Sequence, residues 1–165
     1  MQLLLVATTI HRLLLRTHLE VCNRELIHCI YCSAAADRAL TPAELEAILE
    51  QSRRNNAKRN MTGILLFDDG AFFQVLEGDR KAVDSLFKKL KTDTRHTRIN
   101  KLISEPIEER SFGDWSMGYP KLTRAELEQI PGLNDFFVAG KSFIELEKGR
   151  AKTFLKSFKK GKWRF

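Results

Sequence analysis

GAFFQVLEG, residues 70–78, is the stretch whose reading decides the fold. Taken as a strand it alternates. Phe72, Gln74 and Leu76 point one way, and Ala71, Phe73, Val75 and Glu77 the other. Gln74 therefore shares a face with two large hydrophobes, where a primary amide is unfavourable to bury unless something hydrogen-bonds it. An amide both donates and accepts, so it suits a polar ring edge that offers both. The plainer reading is an edge glutamine that reaches water.

Immediately upstream, residues 61–67 (MTGILLF) form a second strand. Asp68-Asp69-Gly70 between the two is hairpin-turn chemistry, so residues 70–78 return antiparallel. Further upstream, residues 26–31 (LIHCIY) suit a central strand, and residues 33–40 a small polar connection. Thr41 is a good N-cap, Pro42 fits the first helical position and Glu44 completes a capping box. Leu45, Ile48, Leu49 and Ser52 follow at helical spacing, and the helix runs to about Asn56. Asn55 and Asn56 suit a helix end; there an asparagine caps locally or projects its amide toward whatever the helix covers.

Downstream, Asp79 caps a second helix whose buried stripe is Val83, Leu86, Phe87 and Leu90, with Lys81, Lys88, Lys89 and Lys91 outside. Residues 93–96 (DTRH) end it. Residues 98–103 read as a strand continuing toward Ile107. Residues 112–119 (FGDWSMGY) read as a final strand, with Trp115 and Met117 on one face and Pro120 as its stop. Periodicity alone makes that pair ordinary core. The order β-α-β-β-α-β-β, with right-handed crossovers, places both helices on one sheet face. That is an α+β, ferredoxin-like sandwich whose natural pocket is the groove between the helices. Beyond Pro120 the pattern changes to extra C-terminal helices: a short one at 123–130, a break at Pro131-Gly132, an apolar piece at 134–139 and a basic amphipathic helix at 142–160. Phe143, Ile144, Leu146, Ala151, Phe154, Leu155 and Phe158 form the apolar side of that last helix.

The 165 residues, 43% of them apolar, are enough for one core and some additional helix. Residues 141–165 carry nine Lys/Arg and two Glu, which accounts for the whole net charge of +7; the rest of the chain balances 19 basic against 19 acidic residues. The basicity belongs to a tail, not to a nucleic-acid-binding face on the body. Such a tail can lie on an anionic membrane surface; a solvated helix packed on the sheet's open face is the favoured reading. Residues 1–24 are Leu-rich with Arg12 and Arg16; no apolar run in them is long enough to span a bilayer and charges interrupt it, so they read as an amphipathic helix or as an N-terminal extension that adds little to the fold. The expected organisation is an extension at 1–24, a body at 25–120 and a C-terminal helical part at 121–165. Cys29 and Cys32 have redox or half-zinc spacing, but no second ligand pair exists and no helix starts there. Reduced structural cysteines in a cytoplasmic protein follow.

No catalytic constellation, metal cluster or Gly-rich phosphate loop is present, so an enzyme is not expected. His96 reads as a helix-end histidine. What stands out is a set of polar residues facing one layer: Tyr31 at a strand end, Asn56 at a helix end and Gln74 in mid-strand.

LIHCIY, SRRNNAKRNMTGILLF, GAFFQVLEG, DTRH and ERSFGDWSMG, in this order and spacing, resemble the BLUF family of blue-light receptors that bind flavin, over about residues 26–119. The resemblance implies non-covalent FAD, with FMN or riboflavin tolerated, held between the two helices of a ferredoxin-like sandwich. It implies that Tyr31 is the photoactive electron donor, that Gln74 links it to the flavin N5/O4 edge, and that Asn56 bonds the C4 carbonyl side. Trp115 and Met117 would be the pair that exchange places near Gln74. Ile48 and Leu90 would clamp the ring. Asn55, Lys89, Asp93, Arg95 and His96 would lie near the pyrimidine edge, ribityl chain or phosphate; at Asn55 some family members stack a histidine instead. The Gln74 amide would rotate or tautomerise after light, and output would pass through the last strand and the C-terminal helices to a downstream signalling protein, with a homo-oligomer also expected. A reading from another class is a non-photosensory ferredoxin-like module that binds a small ligand, an acidic partner or a membrane surface.

Overall fold

The structure, a computed structural model, describes residues 25–159. The expectations for residues 1–24, including Cys22, for the Phe158 side chain and for residues 160–165 lie outside what is described.

β1 (Leu26–Ala35), α1 (Pro42–Ala57), β2 (Thr62–Asp68), β3 (Ala71–Asp79), α2 (Arg80–Leu90) and β4 (His96–Pro106) build the body. They form a four-stranded antiparallel sheet in the order β2-β3-β1-β4, the arrangement of a ferredoxin-like sandwich. Local chemistry sets each element. Thr41 and Glu44 make the reciprocal capping box that starts α1, with Pro42 at the first turn. Asp79 accepts from the Lys81 and Ala82 backbone N–H groups and starts α2. Asp69 and Gly70 both have positive φ, 45° and 72°, the backbone of a two-residue hairpin turn whose twist matches the flanking strands. That turn fixes the register Asp68↔Ala71, Phe67↔Phe72, Leu66↔Phe73 and Leu65↔Gln74.

The sheet is covered on both faces, so β3 is buried almost end to end instead of alternating. On one face Tyr31, Leu65, Phe72 and Leu76 pack under Leu45 and Leu49 of α1 and Val83 and Phe87 of α2. On the other, Ile30, Cys32, Phe73 and Val75 pack against the C-terminal elements: α3 (Arg124–Leu127), α4 (Asn134–Val138), a 3-10 turn (Phe143–Glu145) and α5 (Lys148–Lys159). Phe73 meets Phe154 edge-on at 4.8 Å, and Lys152 ties α5 to Glu105 of β4 at 2.9 Å. The basic helix thus lies on the sheet's second face with Lys148 and Lys156 exposed. Cys29 and Cys32 fall on opposite faces and cannot pair across the sheet; burial raises their thiols to about 11 and about 12.

The elements depart from the sequence reading in several places, one of them at β4, which begins at His96 paired with Ala35, so His96 belongs to a strand and not to a helix end. β1 runs to Ala35, because Ser33 and Ala34 pair with Phe72 and Ala71, so Tyr31 sits in mid-strand. The final strand is reduced to a single parallel bridge, Ile64↔Gly118, flanked by turns. Trp115 N–H donates to the Phe112 carbonyl at 3.0 Å, a local turn that breaks the alternation. Trp115 and Met117 consequently do not share a face: Trp115 packs with the C-terminal elements and Met117 under α1 and α2. The basic helix begins at Lys148, because Leu146 is extended and only a 3-10 turn precedes it.

Gly63 is demanded by close approach. A Cβ there would lie 1.9 Å from the Val75 carbonyl oxygen. Its N–H donates to the Trp115 carbonyl and its carbonyl accepts from the Gly118 N–H, so β2 carries the irregular segment 115–118 along its free edge.

Candidate functional site

Between α1 and α2, above the sheet, lies a cavity of about 290 Å³. Ile48, Asn55 and Asn56 of α1, Gln74 of β3, Lys89 and Leu90 of α2, and Asp93, Arg95 and His96 line it. These are nine of the ten residues expected around a flavin. The tenth, Tyr31, stands one layer deeper. It pairs directly with Gln74 across β1 and β3, and its hydroxyl donates to Gln74 Oε1. Tyr31 has no solvent exposure, and burial pushes its phenol well above the usual range, so the hydroxyl keeps its proton as a donor. Its ring meets Phe87 edge-on at 5.5 Å, which fixes the phenol's direction.

The Gln74 amide uses its other end as well. Nε2 donates to Met117 Sδ at 3.5 Å. The amide is therefore not an edge group facing water: it is 5% exposed and bridges a phenol to a thioether. Trp115 is elsewhere, stacked on Phe112 at 6.2 Å and lying over Gly118. Backbone contacts fasten the Met117 segment to α1. Asn56 Nδ2 donates to the Ser116 carbonyl at 2.7 Å and Arg53 Nε to the Met117 carbonyl at 3.2 Å. Asn56, expected at the ring, thus also holds this segment.

The mouth of the cavity is charged. Arg95 bonds both Asp93 oxygens and donates through Nη1 to Gln51 Oε1 at 2.8 Å, so it spans from the α2–β4 loop to α1. The Arg95 guanidinium holds the Asp93 carboxyl down at about 2. His96 lies within hydrogen-bond distance of Ser33 Oγ, 3.0 Å, and packs on Phe72; burial lowers its pKa, the Asp93 charge opposing, so the ring is a neutral lining group.

Gln51, Ser52, Arg59, Leu65 and Leu86 also line the cavity; the sequence reading placed Ser52 and Leu86 only on helix stripes and assigned none of the five to the site. Two signals could have found them. Ile48, Ser52, Asn55 and Arg59 follow one another at three- or four-residue steps along one face of α1 and its end. A two-residue turn at Asp69-Gly70 puts Leu65 directly across from Gln74.

These residues fit a flat heteroaromatic ring with a polar edge and an anionic tail. Ile48, Leu65, Leu86 and Leu90 supply apolar surface, Gln74 and Asn56 supply amides, and Lys89, Arg59 and Arg95 supply positive charge.

Comparison with known proteins gives the same direction. The photoactivated adenylate cyclase subunit beta of Euglena longa is 35% identical over 114 residues, 68% of this chain; the chain spans about an eighth of that relative's length (13%). The ground-state structure of BlsA superposes with a TM-score of 0.70 at 28% identity, covering 85% of this chain and 91% of BlsA. The dark-state structure of BlrB, a BLUF protein, gives 0.62 at 32% identity, covering 82% and 98%. The family model described as sensors of blue-light using FAD matches residues 26–118, more than half of the sequence, and the chain belongs to that family, the BLUF photoreceptors.

Proposed function

We propose that the chain senses blue light through FAD held non-covalently between α1 and α2, and that the signal is a rearranged hydrogen-bond chain running from Tyr31 through Gln74 to Met117. The observation that carries this reading is that chain itself: an unexposed phenol donates to an amide, and the amide donates to a thioether on the segment that leaves the sheet. Ile48 and Leu90 would clamp the ring's faces, while Gln74 and Asn56 meet its polar edge. Asn55, Lys89, Asp93, Arg95 and His96 would line its pyrimidine edge, ribityl chain and phosphate. When bound, FAD supplies absorption of blue light and, once excited, an oxidant for which Tyr31 is the electron donor.

The chain's own groups do the rest. The Tyr31 hydroxyl proton leaves along its bond to Gln74 Oε1, and both electron and proton return, so no net oxidation persists. What persists is the Gln74 amide, rotated or tautomerised. In either form it no longer presents the same donor to Met117 Sδ, and that contact is exchanged. Residues 113–118, fastened to β2 and α1 by a handful of bonds, are the bistable element that amplifies the change. They lead through Pro120 into the helices on the sheet's other face. In this reading residues 25–120 are the sensor, residues 121–165 the output part and residues 1–24 an addition. The photoactivated cyclase relative is light-regulated by its name; here, output passes to a separate downstream protein, and the chain itself is no enzyme.

The test is optical. The purified full chain, loaded with FAD, should be yellow and its flavin band should shift reversibly to the red under blue light. A chain that takes up no FAD would favour the small-ligand or acidic-partner module. Retained flavin with no shift would contradict the Tyr31–Gln74 mechanism.

A further inference from the structure

Glu77 lies three residues beyond Gln74 on β3, on the opposite face, with no solvent exposure. Its carboxylate is filled as an acceptor. Oε1 accepts from the Ser111 backbone N–H at 2.9 Å, and Oε2 from the Phe112 N–H at 3.0 Å and from the Thr62 hydroxyl at 3.3 Å. Arg110 closes the group from outside. Its Nη1 donates to Thr62 Oγ1 at 3.0 Å and to the Glu77 carbonyl at 3.2 Å, and its Nη2 to the Asn60 carbonyl at 2.6 Å. A buried carboxylate that takes two consecutive backbone N–H groups fixes the backbone carrying them more firmly than a neutral contact would.

Those two amides begin the segment that ends at Met117. After Phe112 the chain turns, bonds β2 through Trp115 and Gly118, and delivers Met117 to Gln74. β3 therefore touches the segment at both ends: Glu77 holds its start through charge-assisted bonds, while at its tip β3 contributes only the weak N–H···S contact from Gln74, the tip's other bonds running to β2 and α1.

We propose that Glu77 is the fixed anchor of the light-responsive segment, a positioning residue that clamps Ser111 and Phe112 to β3 so that a change at Gln74 displaces only residues 113–118. The unequal strength of these two attachments to β3 carries the inference. The end held by Glu77 keeps its register, and the end held by Gln74 is the one that exchanges. This rests on the light-sensing reading in one respect, the movement of the tip; the clamp itself is a property of the protein in darkness.

Amide hydrogen exchange on the full chain tests it, with and without FAD. In the unmodified protein in darkness, Ser111 and Phe112 should exchange far more slowly than Gly113 and Asp114, and should stay protected under blue light while Gly118, bonded to Gly63, loses protection. In Glu77→Gln, which keeps one carbonyl acceptor, at least one of the two amides loses its partner and should exchange about tenfold faster or more. The loosened start should speed recovery from the lit state by a similar factor while flavin stays bound. Equal exchange of Ser111, Phe112 and Gly113 in the unmodified protein would overturn the clamp whether or not Glu77→Gln folds. Lost protection in Glu77→Gln with unchanged recovery would overturn the coupling to Gln74. A parent protein with no spectral response would instead overturn the light-sensing reading and with it the proposed movement, while the dark exchange of Ser111 and Phe112 still decides the clamp.

Discussion

Removing the amide of Gln74 leaves a fully buried phenol with no acceptor in its bond to β3. In Gln74→Leu the chain's volume and apolar packing are nearly kept, but the Tyr31 hydroxyl loses Oε1. An unpaired buried donor of this kind costs about 1–3 kcal/mol. Tyr31→Phe does the converse, leaving Gln74 Oε1 buried at 5% residue exposure without its donor, at a similar cost. In the double variant neither polar group is left behind, and Leu beside Phe suits the cluster of Leu65, Phe72, Leu76 and Phe87. The loss in the double variant should therefore fall short of the sum of the singles by about 1–2 kcal/mol, the coupling expected for groups in contact. Urea unfolding of the flavin-free chain followed by circular dichroism measures all four corners of the cycle without any contribution from the ligand. Strict additivity, or a Gln74→Leu protein as stable as the parent, would refute the claim that phenol and amide are bonded in the dry layer beneath α1 and α2.

Leu90→Trp should fill the cavity from α2 and abolish FAD uptake while costing the protein little stability, because Leu90 is only half-buried at the cavity wall; absorbance after loading and a melt without flavin check the two halves. Gly63→Ala should destabilise by about 3 kcal/mol, since its Cβ would sit 1.9 Å from the Val75 carbonyl and must push β2 off β3; chemical unfolding reads it directly. His96 has a folded pKa below its unfolded value, so the unfolded chain binds the proton first. Its contribution is complete above about pH 6.5 and declines as pH falls through that value toward the lower folded one. The melting temperature of the parent should accordingly drop more between pH 7 and pH 5 than that of His96→Gln.

Most of the body was legible because local chemistry and burial agree there. The Thr41–Glu44 box, the Asp79 cap and the Asp69-Gly70 turn each specify backbone geometry by themselves. The alternation of residues 71–77 put Gln74 beside Phe72 and Leu76, and the Asp68-Asp69-Gly70 turn returned that strand antiparallel to residues 61–67. The pairing of Tyr31 with Gln74 depends on which strands neighbour each other, a property of topology that alternation does not encode. The segment 112–119 alternates on paper, yet Gly113, Ser116 and Gly118 give it little strand preference, and the Phe112–Trp115 turn wins. That is why Trp115 and Met117 ended on opposite sides. The anchoring of this segment by Glu77, Asn56 and Arg53 joins residues far apart in sequence and has no periodic signature. Likewise Leu146 interrupts an amphipathic pattern that reads as one continuous helix from 142.

The most direct measurement of the central claim is the light-minus-dark absorption spectrum of FAD-loaded Gln74→Leu beside that of the parent chain. The parent should show a reversible red shift of the flavin band. The variant should bind flavin and show none, because no amide remains to rearrange between Tyr31 and Met117. A Gln74→Leu protein with a normal, reversible shift would contradict the account.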